Sequence, residues 1–474
     1  MKRPSPRVLL PAALLAALAA PSPAALGPRY GGELRVAVSE LPSSLAPTAA
    51  PGAARRLALR LVHETLASLD PDGQPGPGLA EATALGASER EWTLTLREHA
   101  RFHDGAPVTA DDVVRSLRAF ARGPGAAAAR LARRLDGGPA YRAEETDHLP
   151  GVAALDERRV VLRLAAPLPG LFAVLASPAA AITGVSGAGA GAFVPTLLVP
   201  GQRLAVTAFA DHVRGRPYLD GVQVLAFADR EAIVGEAEAR RVGLAAGEAG
   251  FEAEVASLLL VLDPARPPFD RREARAAVVG AIDRPLLVGR LVPGGTPAPE
   301  LLVPSILPPR PPAPEPGPAS APRLAGEVTL AVSRDVPPPV SQRVLAHLQA
   351  LGLRVRTRPT SPAVASEAPA DVRLLAYAPE APEPAVAIEE LLALAPLPPA
   401  RVQAVRDRLD AADGEIEPER RLAVLAEAHD LLLEELTLVG LGHMPVRYGG
   451  RGLVHGARVA GTGALVLEDA WVEP

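Results

Sequence analysis

Apolar residues alternate with polar ones from Trp92 to Arg97: Trp92, Leu94 and Leu96 interleave with Thr93, Thr95 and Arg97. A period of two predicts a half-buried strand. His103-Asp104-Gly105 then reads as a turn, with Gly105 free to take a positive φ. Thr109 can cap the helix that follows, and Asp111 and Asp112 suit its positive end. Val113, Val114 and Leu117 supply that helix with an apolar face.

The same patterning predicts the other elements. A glycine-led strand runs over 29–38. A helix over 54–69 places Leu57, Leu61, Val62, Thr65 and Leu66 on one side. His63 sits on its polar edge. Strands are expected at 158–164 and 222–227, with a short helix at 168–176. Leu258 to Leu262 forms a buried-strand candidate. Asp270 or Arg271 can start a helix packed through Ala274, Ala277, Val278 and Ala281. Strand 327–333, helix 340–351 and strands 353–357 and 371–377 give a β-α-β alternation, the signature of an α/β unit. Pro418 to Glu435 is a long helix, and 459–472 closes the chain back in its first part. Pro304 to Pro322 cannot be helical, because each proline lacks an N–H and fixes φ; a surface linker is expected there.

The stretch Phe102-His103-Asp104-Gly105-Ala-Pro-Val-Thr109-Ala-Asp-Asp112-Val is similar to the signature of the peptide/nickel-type periplasmic solute-binding proteins of ABC importers. Further stretches resemble that family in order: Gly31 to Val38, Pro77-Gly-Leu-Ala-Glu81, Phe209 to Val222, Pro267 to Arg284, and Asp371 to Pro384. The resemblance implies an α/β, three-lobed periplasmic binding protein fold with mixed sheets and a ligand cleft between lobes (type II-like). Lobe I would comprise 28–47, 178–265 and 455–474, lobe II 48–177, and lobe III 266–454. It also implies capture of a short peptide or other small ligand by a monomer for the permease subunits of an ABC transporter, without a cofactor. In peptide-binding members an Asp in the pattern matching 371–384 pairs with the ligand's α-amino group. Glu380 is the aligned residue here, and Tyr377 stands for the pattern's Trp; a solvated acidic loop is the alternative reading of Glu380. Phe102, His103, Asp104, Gly105, Thr109 and Asp112 are expected to be structural.

The chain departs from the family pattern in places. Ala46 and Gly250 replace acidic residues, and the segment between Gly250 and Leu258 is abbreviated. With two Trp and five Tyr in 474 residues, aromatic cleft walls are scarce. A diverged member with a non-import role, such as an exported interaction or sensor protein, is therefore the second reading.

Charge and composition narrow the classes. Net charge is −5, so no basic surplus points to nucleic acid. Lys2, Arg3 and Arg7 precede an apolar run from Val8 to Ala20, too short to span a bilayer comfortably. Residues 1–24 thus resemble a secretory signal peptide, with a short uncleaved anchor as the alternative. The absence of cysteine excludes disulfides, thiolate sites and a lipoprotein anchor. A free periplasmic protein is expected. Arg130, Arg133 and Arg134 read as a solvated helix face. Gly187 to Phe193 lacks the Gly-Lys-Ser/Thr of a phosphate cradle, and no G-x-S-x-G or H-E-x-x-H occurs. His103 and Asp104 with Asp111 and Asp112 have metal-ligand chemistry, but turn and cap roles suffice for them. The expected activity is binding, not catalysis.

Overall fold

The computed structural model describes residues 27–47, 52–70, 73–86, 90–227, 230–239, 242–309, 323–450 and 453–473. The expected signal segment, and 310–322 of the proline-rich stretch, lie outside the described residues.

One mixed sheet of eleven strands organises the molecule. At one end Glu33–Val38 lies between Gly221–Ala226 and Leu244–Ala246 in parallel, followed by Arg203–Ala208 and Phe193–Val199. At the other end Glu327–Ser333 lies parallel to both Arg354–Thr360 and Val372–Tyr377. Two long antiparallel strands, Gly250–Leu262 and Leu438–Gly449, run through both ends, paired from Gly250 opposite Gly449 to Val261 opposite Leu438 with two register shifts between.

The run of leucines at 258–262 is continuous because both faces of its strand are covered. Leu258, Leu260 and Leu262 pack under the helices Arg272–Ala281 and Pro338–Ala350. Leu259 and Val261 pack on the opposite face, against Pro384–Leu394, Pro399–Gly414 and Pro418–Leu433. A separate four-stranded sheet, built around Glu91–Leu96, has its own core with the helix Ala110–Arg122.

That helix starts as the sequence requires. Thr109 Oγ1 accepts the Asp112 amide at 3.4 Å, and Asp112 Oδ2 accepts the Thr109 amide at 3.0 Å. These reciprocal bonds complete a capping box. Gly105 takes φ +86 in the preceding turn.

Several expectations are corrected. The first helix covers only Ala53–Val62, and its Leu57, Ala58, Leu61 and Val62 pack with Leu34 and Val36. It thus belongs with the first strand's core rather than to a body starting at residue 48. Leu66 joins the other core, with Leu94 and Leu96. The apparent helical period ran on because two cores meet at this point. His63 is buried, not a polar edge: its Nε2 donates to the Leu45 carbonyl at 2.7 Å, and burial lowers its pKa to about 4. The helix expected at 168–176 shortens to Leu171–Leu175. Ile306 and Leu307 are buried with Leu259 and Leu391, so the start of the proline-rich stretch packs.

Candidate ligand cleft

A cavity of about 1530 Å³ lies between the sheet-based bodies and the body built on the four-stranded sheet. It exceeds the ~300–1,000 Å³ of ordinary small-molecule pockets. The start of helix Ala53–Val62 forms part of its wall. Pro124 to Ala126, Pro178 and Ala179 come from the four-stranded-sheet body. Ser333 to Pro339, Ala376 to Ala378, Glu380 and Met444 to Tyr448 contribute further wall. Prolines and aliphatic side chains dominate these walls; the aromatic contributors are Tyr377 and Tyr448.

Both expected site residues line this cavity. Tyr377 ends a sheet strand, and its hydroxyl donates to Glu390 Oε2 at 2.7 Å and to the Ala387 carbonyl at 3.2 Å. The Glu380 amide donates to Glu390 Oε1 at 3.0 Å. The Glu380 carboxylate points the other way, across the cleft, where it accepts from Ser177 Oγ at 2.7 Å. It also meets the N-terminus of helix Ala126–Arg134. Gly125, at φ +98, permits that approach: a Cβ there would stand 3.0 Å from Glu380 Oε2. Unsatisfied amides and the helix dipole favour a carboxylate at such a position.

Burial raises the Glu380 pKa, while Ser177, Arg56 and the Ala127 amide oppose that rise. Glu390 is pushed up to about 8, first by burial and then by the charge of Glu380. Desolvation also pushes Asp335 up to about 6 and Tyr448 up to about 12. These acids form a strongly desolvated group in the cavity wall, the usual environment of a working site.

Three features of the cleft were not foreseen. Glu390, ten residues beyond Glu380, completes the acid pair; helix Pro384–Leu394 is buried nearly all round, so no amphipathic stripe marks it. Arg56 is 6 % exposed and lines the cavity from the helix of the first strand's core. Last, the Arg130 group is not a solvated face. Arg130 pairs with Asp413, Arg134 Nη2 lies 2.7 Å from Asp413 and 2.5 Å from Asp410, and Arg133 Nη2 donates to Glu389 at 2.6 Å. The acids lie on helices of the far body, so these pairs bridge the cleft. The only sequence signal is the spacing of the three arginines on one helix; their partners lie more than 250 positions away.

The signature residues stand apart from the cavity. Phe102 is a core residue. The His103 ring donates to the Gly191 carbonyl at 2.9 Å, and its backbone amide donates to Gly189 at 2.8 Å. Asp104 accepts from Ser186 Oγ at 2.6 Å. The turn therefore pins the glycine-rich crossover at 186–191. No cluster of three potential metal ligands occurs among the described residues.

Bodies joined by two shared strands, with a large cavity between them, define a lobed binding protein. The chain belongs to the bacterial extracellular solute-binding proteins, family 5, whose middle-region model matches residues 74–371. A dipeptide-binding protein of Bacillus subtilis, DppE, is 32 % identical over 124 residues, 26 % of this chain and 23 % of that protein. The chain thus aligns with about a quarter of this curated relative. The murein tripeptide-binding protein MppA of Escherichia coli has the same fold, with a TM-score of 0.81 at 20 % identity over 93 % of this chain and 98 % of the other. Against the unliganded open form of MppA the score is 0.63, over 93 % and 97 %. The Haemophilus influenzae OppA complex with RPPGFSPFR scores 0.79 at 15 % identity over 94 % and 100 %.

Proposed function

We propose that this protein captures a short peptide in the closing cleft and delivers it to the permease subunits of an ABC importer. The carrying observation is the cavity of about 1530 Å³ with Glu380 and Tyr377 in its wall. Family membership and the peptide ligands named for its structural relatives support the same reading. Glu380 meets the ligand's α-amine, and Tyr377 holds Glu390 beside it. A charged amine is costly to bury unpaired, and a desolvated carboxylate offsets that cost. The protein acts as a free periplasmic monomer after removal of residues 1–24. The lobes follow the boundaries expected above, except that helix Ala53–Val62 joins lobe I, Ala180, Ile182 and Ala190 pack with lobe II, and Leu258 to Leu262 pack with lobe III.

Calorimetry with di- to pentapeptides, each free or acetylated at the amino terminus, tests the ligand class. Free peptides should bind and acetylated ones bind weakly. Glu380→Gln should weaken free peptides by about 2–5 kcal/mol. Equal binding of free and acetylated peptides would sink the amine anchor. The sparse aromatic lining favours a second reading, a non-import role; binding of no peptide at all would support it.

A further inference from the structure

Arg56 is a buried cation in the cavity wall. Its Nε has no hydrogen-bond partner, and no hydrogen bond or ion pair among the described residues satisfies its guanidinium. Neighbouring cations differ. Arg55 donates to the Ala46 carbonyl at 2.8 Å, and Arg447 pairs with Glu252 at 2.6 Å. Arg334, Arg358 and Arg406 are exposed. Among the described arginines that line the cavity, Arg56 alone combines burial with no hydrogen-bond or ion-pair partner.

Arginine stays charged in proteins, so it does not escape burial by losing its proton. An unpaired buried charge is strongly unfavourable. Glu390, Glu380, Asp335, Tyr448 and Tyr377 act on Arg56 electrostatically without a hydrogen bond or ion pair to it. Burial outweighs their pull and lowers the Arg56 pKa, so the surrounding acids do not compensate the cation. A purely structural counter-ion would sit against its acids. This one makes no ion pair with them and lines the cavity.

We propose that Arg56 is a ligand-binding residue that receives a carboxylate of the bound molecule. The guanidinium fork matches a carboxylate with two parallel hydrogen bonds. The carboxylate assignment stands on Arg56 itself. Combined with the amine at Glu380, which rests on the peptide reading above, it makes the ligand zwitterionic, with both charges read by the cleft.

The test uses full-length mature protein, wild type and Arg56→Gln, in native mass spectrometry. The probes are equimolar tripeptide mixtures supplied as free acids, as carboxy-terminal amides and as amino-terminally acetylated acids. Wild type should prefer acids over amides by about 30- to 3,000-fold, the range for truncating one partner of a buried charge pair. Arg56→Gln should abolish that preference. Ligand-free Arg56→Gln should melt no lower than wild type, because an uncompensated charge has been removed. A lower melting temperature, or an acid preference retained in the variant, would overturn the proposal. Peptides that bind without any acid preference overturn the Arg56 assignment and leave the peptide reading standing. If no tripeptide binds, ligands retained through native purification decide. A retained carboxylate lost in Arg56→Gln upholds the assignment and removes the peptide reading. No retained carboxylate overturns both.

Discussion

Arg130 and Asp413, 283 positions apart, form an ion pair buried on both sides where the two halves of the cleft meet. Arg130 has no exposed surface, and Asp413 is 2 % exposed. Arg134 binds the same carboxylate, and Glu389 receives Arg133 one helix away. Ala381 and Val386 from the far body also join the core beneath these arginines. The closed arrangement therefore has contacts of its own besides whatever ligand it holds.

Asp413→Asn should shift the molecule toward an open form. Removing one partner of a buried pair costs about 3–5 kcal/mol. Opening returns Arg130 to water, so the loss falls on closure rather than on the fold. Small-angle scattering should show a larger radius of gyration, and apparent ligand affinity should fall with the closed fraction. Unchanged scattering would mean that the apolar contacts alone hold the closed form.

Closure should weaken as pH rises from 6.5 to 8. Glu390 holds its proton to about pH 8 in the closed cleft, against an ordinary 4.5. The closed form binds the extra proton, so the group's contribution is full below pH 4.5 and fades as pH climbs through 8. His63 and His443, both lowered to about 4 by burial, act with the opposite sign and only below their ordinary 6.5. The window above 6.5 isolates the acid pair. Melting temperature against pH should slope downward there for wild type and flatten in Glu390→Gln.

Thr109→Ala should cost about 1 kcal/mol through the lost cap. Neither Thr109 nor Asp112 lines the cavity. Urea titration should show the loss, while calorimetry finds ligand affinity unchanged. A large affinity loss at constant stability would place this turn in the site.

Leu307→Ala should destabilise by about 2–5 kcal/mol, the range for emptying a buried leucine site. Leu307 is 5 % exposed among Leu259, Leu391 and Leu438. A melting curve identical to wild type would return 304–309 to the status of a linker. This expectation replaces the surface-linker reading for 304–309.

The elements with strong local signals were legible in the sequence. The capped helix after Thr109, the strand ending at Leu96 and the β-α-β unit from Glu327 to Tyr377 formed where periodicity placed them. Helices Pro384–Leu394 and Pro399–Gly414 escaped for opposite reasons. The first is apolar on nearly every side, and the second shows only a thin stripe at Val405, Leu409 and Ala412. Of the cavity wall, Tyr377 and Glu380 were legible because a contiguous pattern carries them. Arg56 and the Arg130 group were not. Their surroundings depend on chain segments far away in sequence, and local patterning does not encode distant partners.

The two shared strands set what kind of motion the cleft permits. Their ladder is irregular between Glu254 and Ala256, and again between Leu258 and Leu259. The first irregularity falls where packing passes from Phe251 and Ala253, beside the first strand's core, to Leu258, in the next. Extra residues in a ladder bend it locally. Ala256 and Met444 put this crease in the cavity floor, and we expect the halves to swing about it while the flanking ladder bonds stay closed. Backbone amides of these strands should then exchange with solvent only on global unfolding, even while the cleft opens many times. Those of Ala127 and the turn before it should exchange at each opening.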